Sequence, residues 1–274
     1  MIKKILLPLD GSHSALEFAV KMAKRTSASI TALMIIDEPE IMVPEPVPAG
    51  AGEFVEHKHK KLLEKAHEHN QTLLAAFSKT CKEEGIEQFS IEIHGSPSEV
   101  IINQSHMHDL IVIPRISHFK SITQEGPCKT PEEVIRKTSR PLFLIPEKLH
   151  KGKDAWVAYD GGNGGSKTMQ LAQMSGILKG VSVTVVSVDK DREKAAKNCE
   201  AAKSFLQAHG IETKTNPMEY SGKAWEILLK EISSSHPEFV TMGSFEISAL
   251  KEFFLGSFTK GMLENSPVPL FVYH

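Results

Sequence analysis

The sequence predicts an α/β protein made of two tandem, doubly wound, five-stranded parallel-sheet domains related by a pseudo-two-fold axis. Three observations lead there. The chain repeats itself: the run Ile5-Leu6-Leu7-Pro8-Leu9-Asp10-Gly11-Ser12 returns as Ala155-Trp156-Val157-Ala158-Tyr159-Asp160-Gly161-Gly162, and the run Arg140 to Ile145 returns as Val268 to Tyr273. Each copy contains short continuous apolar runs, the pattern of strands buried on both faces. Amphipathic stretches separate those runs, and strand, helix, strand implies a parallel pair with a right-handed crossover. At 274 residues, two units of about 120 to 150 residues can each bury a core. The predicted domains are 1–147 and 154–274, joined by the short polar linker Glu147 to Lys153, and they pack as an intrachain pseudo-dimer.

The elements follow in order. Ile5 to Leu9 is a strand, broken by Asp10-Gly11-Ser12 before a helix carrying Ala15, Phe18, Ala19, Met22 and Ala23; Ser29 to Ile36 is the next strand. The segment Glu38 to Gly52 holds Pro39, Pro44, Pro46 and Pro48 and is expected to be a surface loop. A long helix from about Phe54 to Glu84 follows, with Leu62, Leu63, Ala66, Leu73, Leu74 and Phe77 as its apolar stripe. Then come a strand at Glu87 to Ile93, a helix at Pro97 to Ser105, a strand at Leu110 to Ile113, a helix at Pro131 to Thr138 and a strand at Leu142 to Ile145. The second copy replays this order from Trp156 to Tyr273. Matching positions begin 150 apart (Asp10, Asp160) and end 128 apart (Pro141, Pro269), so the first copy carries an insertion of about 22 residues, assigned mostly to the proline-rich loop.

Composition removes several classes of function. Lys plus Arg number 32 against 34 for Asp plus Glu, so no global positive field draws the chain to nucleic acid or an anionic membrane. Cys81, Cys128 and Cys199 lie far apart, odd in number and outside any CxxC spacing, which argues against disulfides or zinc and fits a reducing cytoplasm. The opening Met1-Ile2-Lys3-Lys4 leads into too few apolar residues for a signal peptide, and no apolar run of about 18 residues occurs. A soluble cytoplasmic protein is expected.

The functional signal lies in the second copy. Met242-Gly243-Ser244-Phe245-Glu246 follows a strand, and after residues 247 to 255, Gly256-Ser257 opens a helix. Gly243 suits a turn at the carboxyl end of a strand, where open α/β sheets bind ligands, and Gly256-Ser257 places helix amino-terminal amides beside that crevice, where a phosphate would fit. Both glycines equally suit simple turn geometry. The run Asp160-Gly161-Gly162-Asn163-Gly164-Gly165-Ser166 allows close approach to a ligand or serves as a flexible turn, and it is not a Walker loop.

At this point the chain resembles the universal stress protein family, whose ATP-binding members show Gly, two residues, Gly, nine residues, Gly, then Ser or Thr. The resemblance spans both copies, through the strand ending in Asp-Gly, the segment Gly95-Ser96-Pro97-Ser98-Glu99-Val100-Ile101, the run Asp109 to Ile113 and the closing Pro-containing strand. It implies the adenine nucleotide alpha hydrolase-like fold and, as cofactor, ATP or another adenine nucleotide, with Mg as a companion ion. It places Asp160 and Val188 beside base and ribose, and Gly243, Gly256 and Ser257 around the phosphates. Tyr159, Met242, Glu246, Phe258 and Thr259, their neighbours in the same segments, complete the candidate set. Glu246 stands where the family pattern has its second Gly; a carboxylate there repels a polyphosphate unless it turns outward or shares a divalent ion.

The first copy lacks the motif. Counting from its fourth strand puts Pro114 in the place of Gly243, and counting back from Pro141 puts Arg115 there. Its receiving helix begins Thr130-Pro131-Glu132-Glu133, read as an amino cap with carboxylates that already answer the helix dipole. This copy is expected to be a scaffold, with Asp10 and Ile36 structural.

Other constellations are blander. His57 and His59, like His67 and His69, are two apart on a helix and point about 200 degrees apart, so neither pair chelates one ion. They read as a solvated helix face, as do His106 and His108. No GxSxG occurs, and Cys128 beside Pro127 has no local base, so no catalytic residue is assigned. Lys58, Lys60 and Lys61 alternate with Glu56 and Glu64, a mixed-charge face and not a nucleic-acid patch. Phe253-Phe254 is either an interaction surface or a flap on the core.

The leading function is therefore a non-enzymatic stress-response or regulatory protein that binds an adenine nucleotide in its second domain and acts on an unidentified protein partner, with further homodimerisation left open. The rival is an interaction module that binds no nucleotide, and a third reading is a slow ATPase. Glu246→Gly separates the first two: it is expected to tighten ATP binding in a calorimetric titration, and equal absence of binding in wild type and variant favours the interaction module.

Overall fold

A computed structural model describes residues 1–43, 52–119, 129–243 and 256–273. The first half runs β1 (Lys4–Pro8), α1 (His13–Thr26), β2 (Ser29–Ile36), α2 (Glu38–Ile41), α3 (Gly52–Glu83), β3 (Gln88–His94), α4 (Pro97–Ser105), β4 (Leu110–Pro114), α5 (Thr130–Lys137) and β5 (Leu142–Ile145). The second runs β6 (Asp154–Ala158), α6 (Asn163–Ser175), β7 (Ser182–Asp189), α7 (Arg192–Ala208), β8 (Thr213–Glu219), α8 (Ala224–Ser235), β9 (Phe239–Gly243), α9 (Ser257–Asn265) and β10 (Leu270–Tyr273).

The strands form one sheet in the order β3-β2-β1-β4-β5-β10-β9-β6-β7-β8. Each half is parallel throughout, and the halves meet where β5 pairs antiparallel with β10, Leu144 opposite Leu270, Phe143 opposite Phe271 and Leu142 opposite Val272. A two-fold axis perpendicular to the sheet produces this, because joining like edges about such an axis reverses the strand direction and keeps matching helices on one face. The tandem doubly wound architecture is thus as expected.

Helices cover both faces. On one, Phe18 of α1, Phe77 of α3, Met169 and Ala172 of α6 and Leu206 of α7 pack on the sheet; on the other lie Ile101 of α4, Ile135 of α5, Leu228 of α8 and Met262 of α9. The first face is continuous across the seam. There Phe143 meets Phe18, Phe271 and Phe239 at centroid distances of 4.7, 5.1 and 5.3 Å. Edge-to-face and tilted pairs of this kind add to what burial alone provides.

Polar groups also bridge the halves. Glu238, 4% exposed, accepts a bidentate pair from Arg25 Nη2 at 2.8 and 2.9 Å, with Lys21 Nζ at 3.1 Å, while Arg25 Nη1 donates to the Ile177 carbonyl at 3.1 Å. A buried carboxylate needs such a partner set, since desolvation alone would expel it. Arg115 Nη1 donates to the Ser266 carbonyl at 2.6 Å. The polar linker is packed, too: a Cβ on Gly152 would fall 2.2 Å from the Glu238 amide.

Four expectations need correction. The segment from Glu38 is no simple loop: α2 forms, capped by Asp37 Oδ1 accepting from Glu40 N, because Ile41 is buried against Ala66, Leu62 and Leu63 of α3. The insertion is shared with a helix, since α3 has 32 residues against 17 in α7. Helix α5 begins at Thr130 with Lys129 at its cap and no side-chain cap bond, so Thr130 sits inside the helix and not at its cap; Glu132 and Glu133 do occupy the first turn. His108 is not a solvated face residue, since it is buried with its Nδ1 2.7 Å from the Gln104 carbonyl, whereas His67 stays exposed with its Nδ1 2.9 Å from Glu92 Oε1. Among the described residues no helix is long and apolar enough to cross a membrane.

Phe143→Ala should lower the unfolding free energy by about 3–5 kcal/mol in urea denaturation, the usual cost of emptying a packed aromatic site. Phe89→Ala, at a position 51% exposed, should cost about 0.5 kcal/mol or less. Equal effects would show that the seam is not tightly packed.

Candidate functional site

In each half the strand order reverses between the first and fourth strands, and the crevice outside their carboxyl ends is where open α/β sheets bind ligands. The local geometry there begins with the Asp-Gly turn. Gly11 and Gly161 adopt φ of 90° and 82°, a left-handed conformation that glycine enters without strain. Asp10 Oδ1 accepts from Ser12 N at 3.0 Å and Asp160 Oδ1 from Gly162 N at 2.9 Å, closing the same Asx turn in both halves.

Beyond this turn the halves part. In the second half a cleft of about 590 Å³ opens at the strand ends, inside the roughly 300–1,000 Å³ range of small-molecule sites. Tyr159 and Asp160 from the β6–α6 turn line it, with Val188 at the end of β7 and Met242 and Gly243 at the end of β9; Ser257 and Phe258 of α9 close one side. These seven predicted residues are brought together. Gly256 caps α9 just outside the lining, and Thr259 is fully buried behind it, so its side chain is a core group and not a cleft group. Glu246 lies outside the described residues, as do Cys128, Phe253 and Phe254.

Gly243 has a definite steric role. A Cβ there would sit 2.5 Å from the Gly164 carbonyl carbon and 2.6 Å from the Gly165 amide, so β9 and the first turn of α6 touch backbone to backbone. Packing, beyond turn geometry, is what requires the glycine. The register settles its counterpart: Pro114 pairs with Ile145 as Gly243 pairs with Tyr273, so Pro114 and not Arg115 takes the equivalent place.

The helix termini differ in charge. Among the described residues no side chain caps α9 and no acidic residue lies in its first turn, leaving its dipole, worth about half a positive charge, unanswered by any carboxylate of that turn. Helix α5 carries Glu132 and Glu133 in that turn. In the first half, moreover, His118 N folds back to donate to Asp10 Oδ2 at 3.2 Å, and burial raises the Asp10 carboxyl above its usual range. A cleft of about 540 Å³ beside Asp10 also presents Glu17 and Glu147, with Lys148 as the one lysine among its described lining residues, so that acids outnumber the cation. Asp160 stays exposed, and among the described residues only Gly162 donates to it.

Among the cleft residues that escaped the sequence reading are Asp189, Lys194, Tyr220, Lys223 and Trp225. Two of the chain's three tyrosines and one of its two tryptophans line this one cleft, which gives it flat apolar walls. Trp225 lies against Gly261 of α9, where a Cβ would come 2.4 Å from the ring. Lys194 Nζ stands 2.7 Å from Asp189 Oδ2, and its hydrogen bond holds that carboxyl below the usual carboxylate range. An acid closing the second strand of a doubly wound unit was the legible signal for Asp189. Elsewhere, burial pushes the Cys81 and Cys199 thiols up to about 11, the opposite of an activated nucleophile.

The sequence profile of the universal stress protein family matches residues 1–121 and 179–274. The chain belongs to the universal stress protein family. Its fold is similar to that of a universal stress protein from Archaeoglobus fulgidus DSM 4304, at 20% identity and a TM-score of 0.71, covering 98% of this chain and 95% of that one. It is also similar to a functionally unknown protein from Pseudomonas aeruginosa PAO1, at 12% identity and a TM-score of 0.59, covering 99% and 92%. Among curated proteins no sequence relative matches the chain. At these identities the structural likeness speaks to the fold of this universal stress protein and not to a ligand.

Gly243→Ala is expected to force α6 away from β9 and to cost roughly 1–3 kcal/mol, as overpacking does. An unchanged urea midpoint would show the contact to be slack.

Proposed function

We propose that this universal stress protein binds an adenine nucleotide, ATP or a relative of it, in the unit 154–274, and that the unit 1–147 is a scaffold without such a site. One observation carries the reading: the cleft of the second half is roomy, walled by aromatic side chains and flanked by the amino terminus of α9, whose first turn holds no acidic residue. Backbone amides and the helix dipole at such a terminus favour phosphate. The aromatic walls suit the flat face of a base. The spacing of Gly243, Gly256 and Ser257, which resembles that of ATP-binding family members, directs the choice to adenine. By the same resemblance Asp160, exposed at the rim, lies beside base and ribose, and Mg is a companion ion of the phosphates. Among the described cleft residues none is arranged as a nucleophile with its base, and the output we propose is a change of conformation or of protein partner rather than a reaction.

The test is isothermal titration of the full chain with ATP, with and without magnesium, on wild type and on Gly256→Glu. Wild type should bind, and the variant, which places a carboxylate at the helix cap, should lose at least about tenfold in affinity with an unchanged circular dichroism spectrum. Wild type that takes up no ATP at millimolar concentration would sink the proposal.

A further inference from the structure

The carboxyl end of β7 carries a group with no counterpart in the first half. Leu9 N donates to the Leu33 carbonyl as Tyr159 N does to Val186, and Gly95 N donates to Ile36 as Tyr220 N does to Asp189. Asp189, one residue beyond Val188, is therefore the equivalent of Ile36. Ile36 is 2% exposed and packed under Ile41 and Ala66, whereas Asp189 faces the cleft.

The Asp189 carboxylate is held in a fixed direction. Its Oδ1 accepts from Asp191 N at 3.1 Å and its Oδ2 meets Lys194 Nζ at 2.7 Å. Lys194 is itself anchored in the first turn of α7, because Asp191 Oδ1 caps the helix and accepts from Lys194 N. An ionised carboxylate offers about four acceptor positions, so Asp189 keeps acceptor capacity toward the cleft. Asp160 and Asp191 also act on Lys194, so three carboxylates surround this ammonium, and Lys223 is the other lysine among the described lining residues. Such a rim favours a neutral hydrogen-bond donor and repels phosphate. In the dinucleotide-binding class of doubly wound sheets an acid at the end of the second strand receives a ribose hydroxyl, and Asp189 ends the second strand of this half.

We infer that Asp189, oriented by Lys194, accepts hydrogen bonds from the ribose hydroxyls of the bound nucleotide, so that the cleft takes ribonucleotides and rejects 2′-deoxy and 2′-phosphorylated ones. This rests on the nucleotide reading above. Asp189 is then a specificity-determining residue and Lys194 a positioning residue. A hydrogen bond to a charged acceptor corresponds to roughly ten- to a hundredfold in affinity.

The dissociation constants of ATP and 2′-deoxy-ATP, measured by calorimetry on the full chain, test it. Wild type should prefer ATP by roughly ten- to a hundredfold. Asp189→Ala should bring the ratio close to unity by weakening ATP alone, and Asp189→Asn, which keeps the shape, should lower it as well. Lys194→Ala should narrow the ratio and Lys194→Arg should restore it. Equal wild-type affinity for the two nucleotides, or equal weakening of both in Asp189→Ala, overturns the inference and leaves the nucleotide reading standing. Wild type that takes up neither nucleotide overturns both.

Discussion

The antiparallel pairing of β5 with β10 is the constraint from which the rest of the architecture follows. Each half has a parallel sheet that would otherwise end in an open edge at its fifth strand, and the pairing removes both edges at once. Because it reverses strand direction, it sends the carboxyl ends of the two halves to opposite sides of the sheet, so the two crevices cannot merge into one site. Phe143 and Phe271 face each other across the seam, and the Arg25–Glu238 pair fastens α1 to the second half beside them. The halves are thus one packed body whose ligand chemistry can differ on either side.

That difference arises from small local changes on a common frame. Both halves begin with the same Asx turn. In the first, His118 covers the carboxylate, Ile36 and Ile41 fill the end of the second strand and Glu132 and Glu133 neutralise the receiving helix. In the second, the corresponding positions are an exposed Asp160, a cleft-facing Asp189 and the bare start of α9. Each substitution trades an apolar or covered contact for spare hydrogen-bonding capacity, and the three lie on one crevice. The insertion serves the same end, since it supplies the Ile41 and α3 contacts that seal the first half.

Much of this was legible because it depends on local periodicity. Strands buried on both faces, such as Ser29 to Ile36, announce themselves as unbroken apolar runs, and the repeated Asp-Gly signals the strand-to-helix turn without reference to anything distant. What escaped was long-range. Proline-rich composition argued for a loop after Ile36, yet Ile41 found a pocket on α3 and turned Glu38–Ile41 into a helix. Gly243 read as a turn residue because sequence cannot show that Gly164 and Gly165 press against it from 78 residues away. Tyr220 and Trp225 carried no motif, and only the folding of the β8–α8 connection and of α8 beside α9 brings them to the cleft that Asp160 also lines.

From residues alone came the duplication, the order and type of nearly every element, the family and the half in which to look for a ligand, since hydrophobic period, turn chemistry and helix-end charge are properties of short stretches of chain. The register that equates Asp189 with Ile36, the steric reason for Gly243, the seam that makes one sheet of two and the covering of Asp10 emerge in three dimensions. They are contacts between segments far apart in the chain, and their energies exist once the core has closed around them.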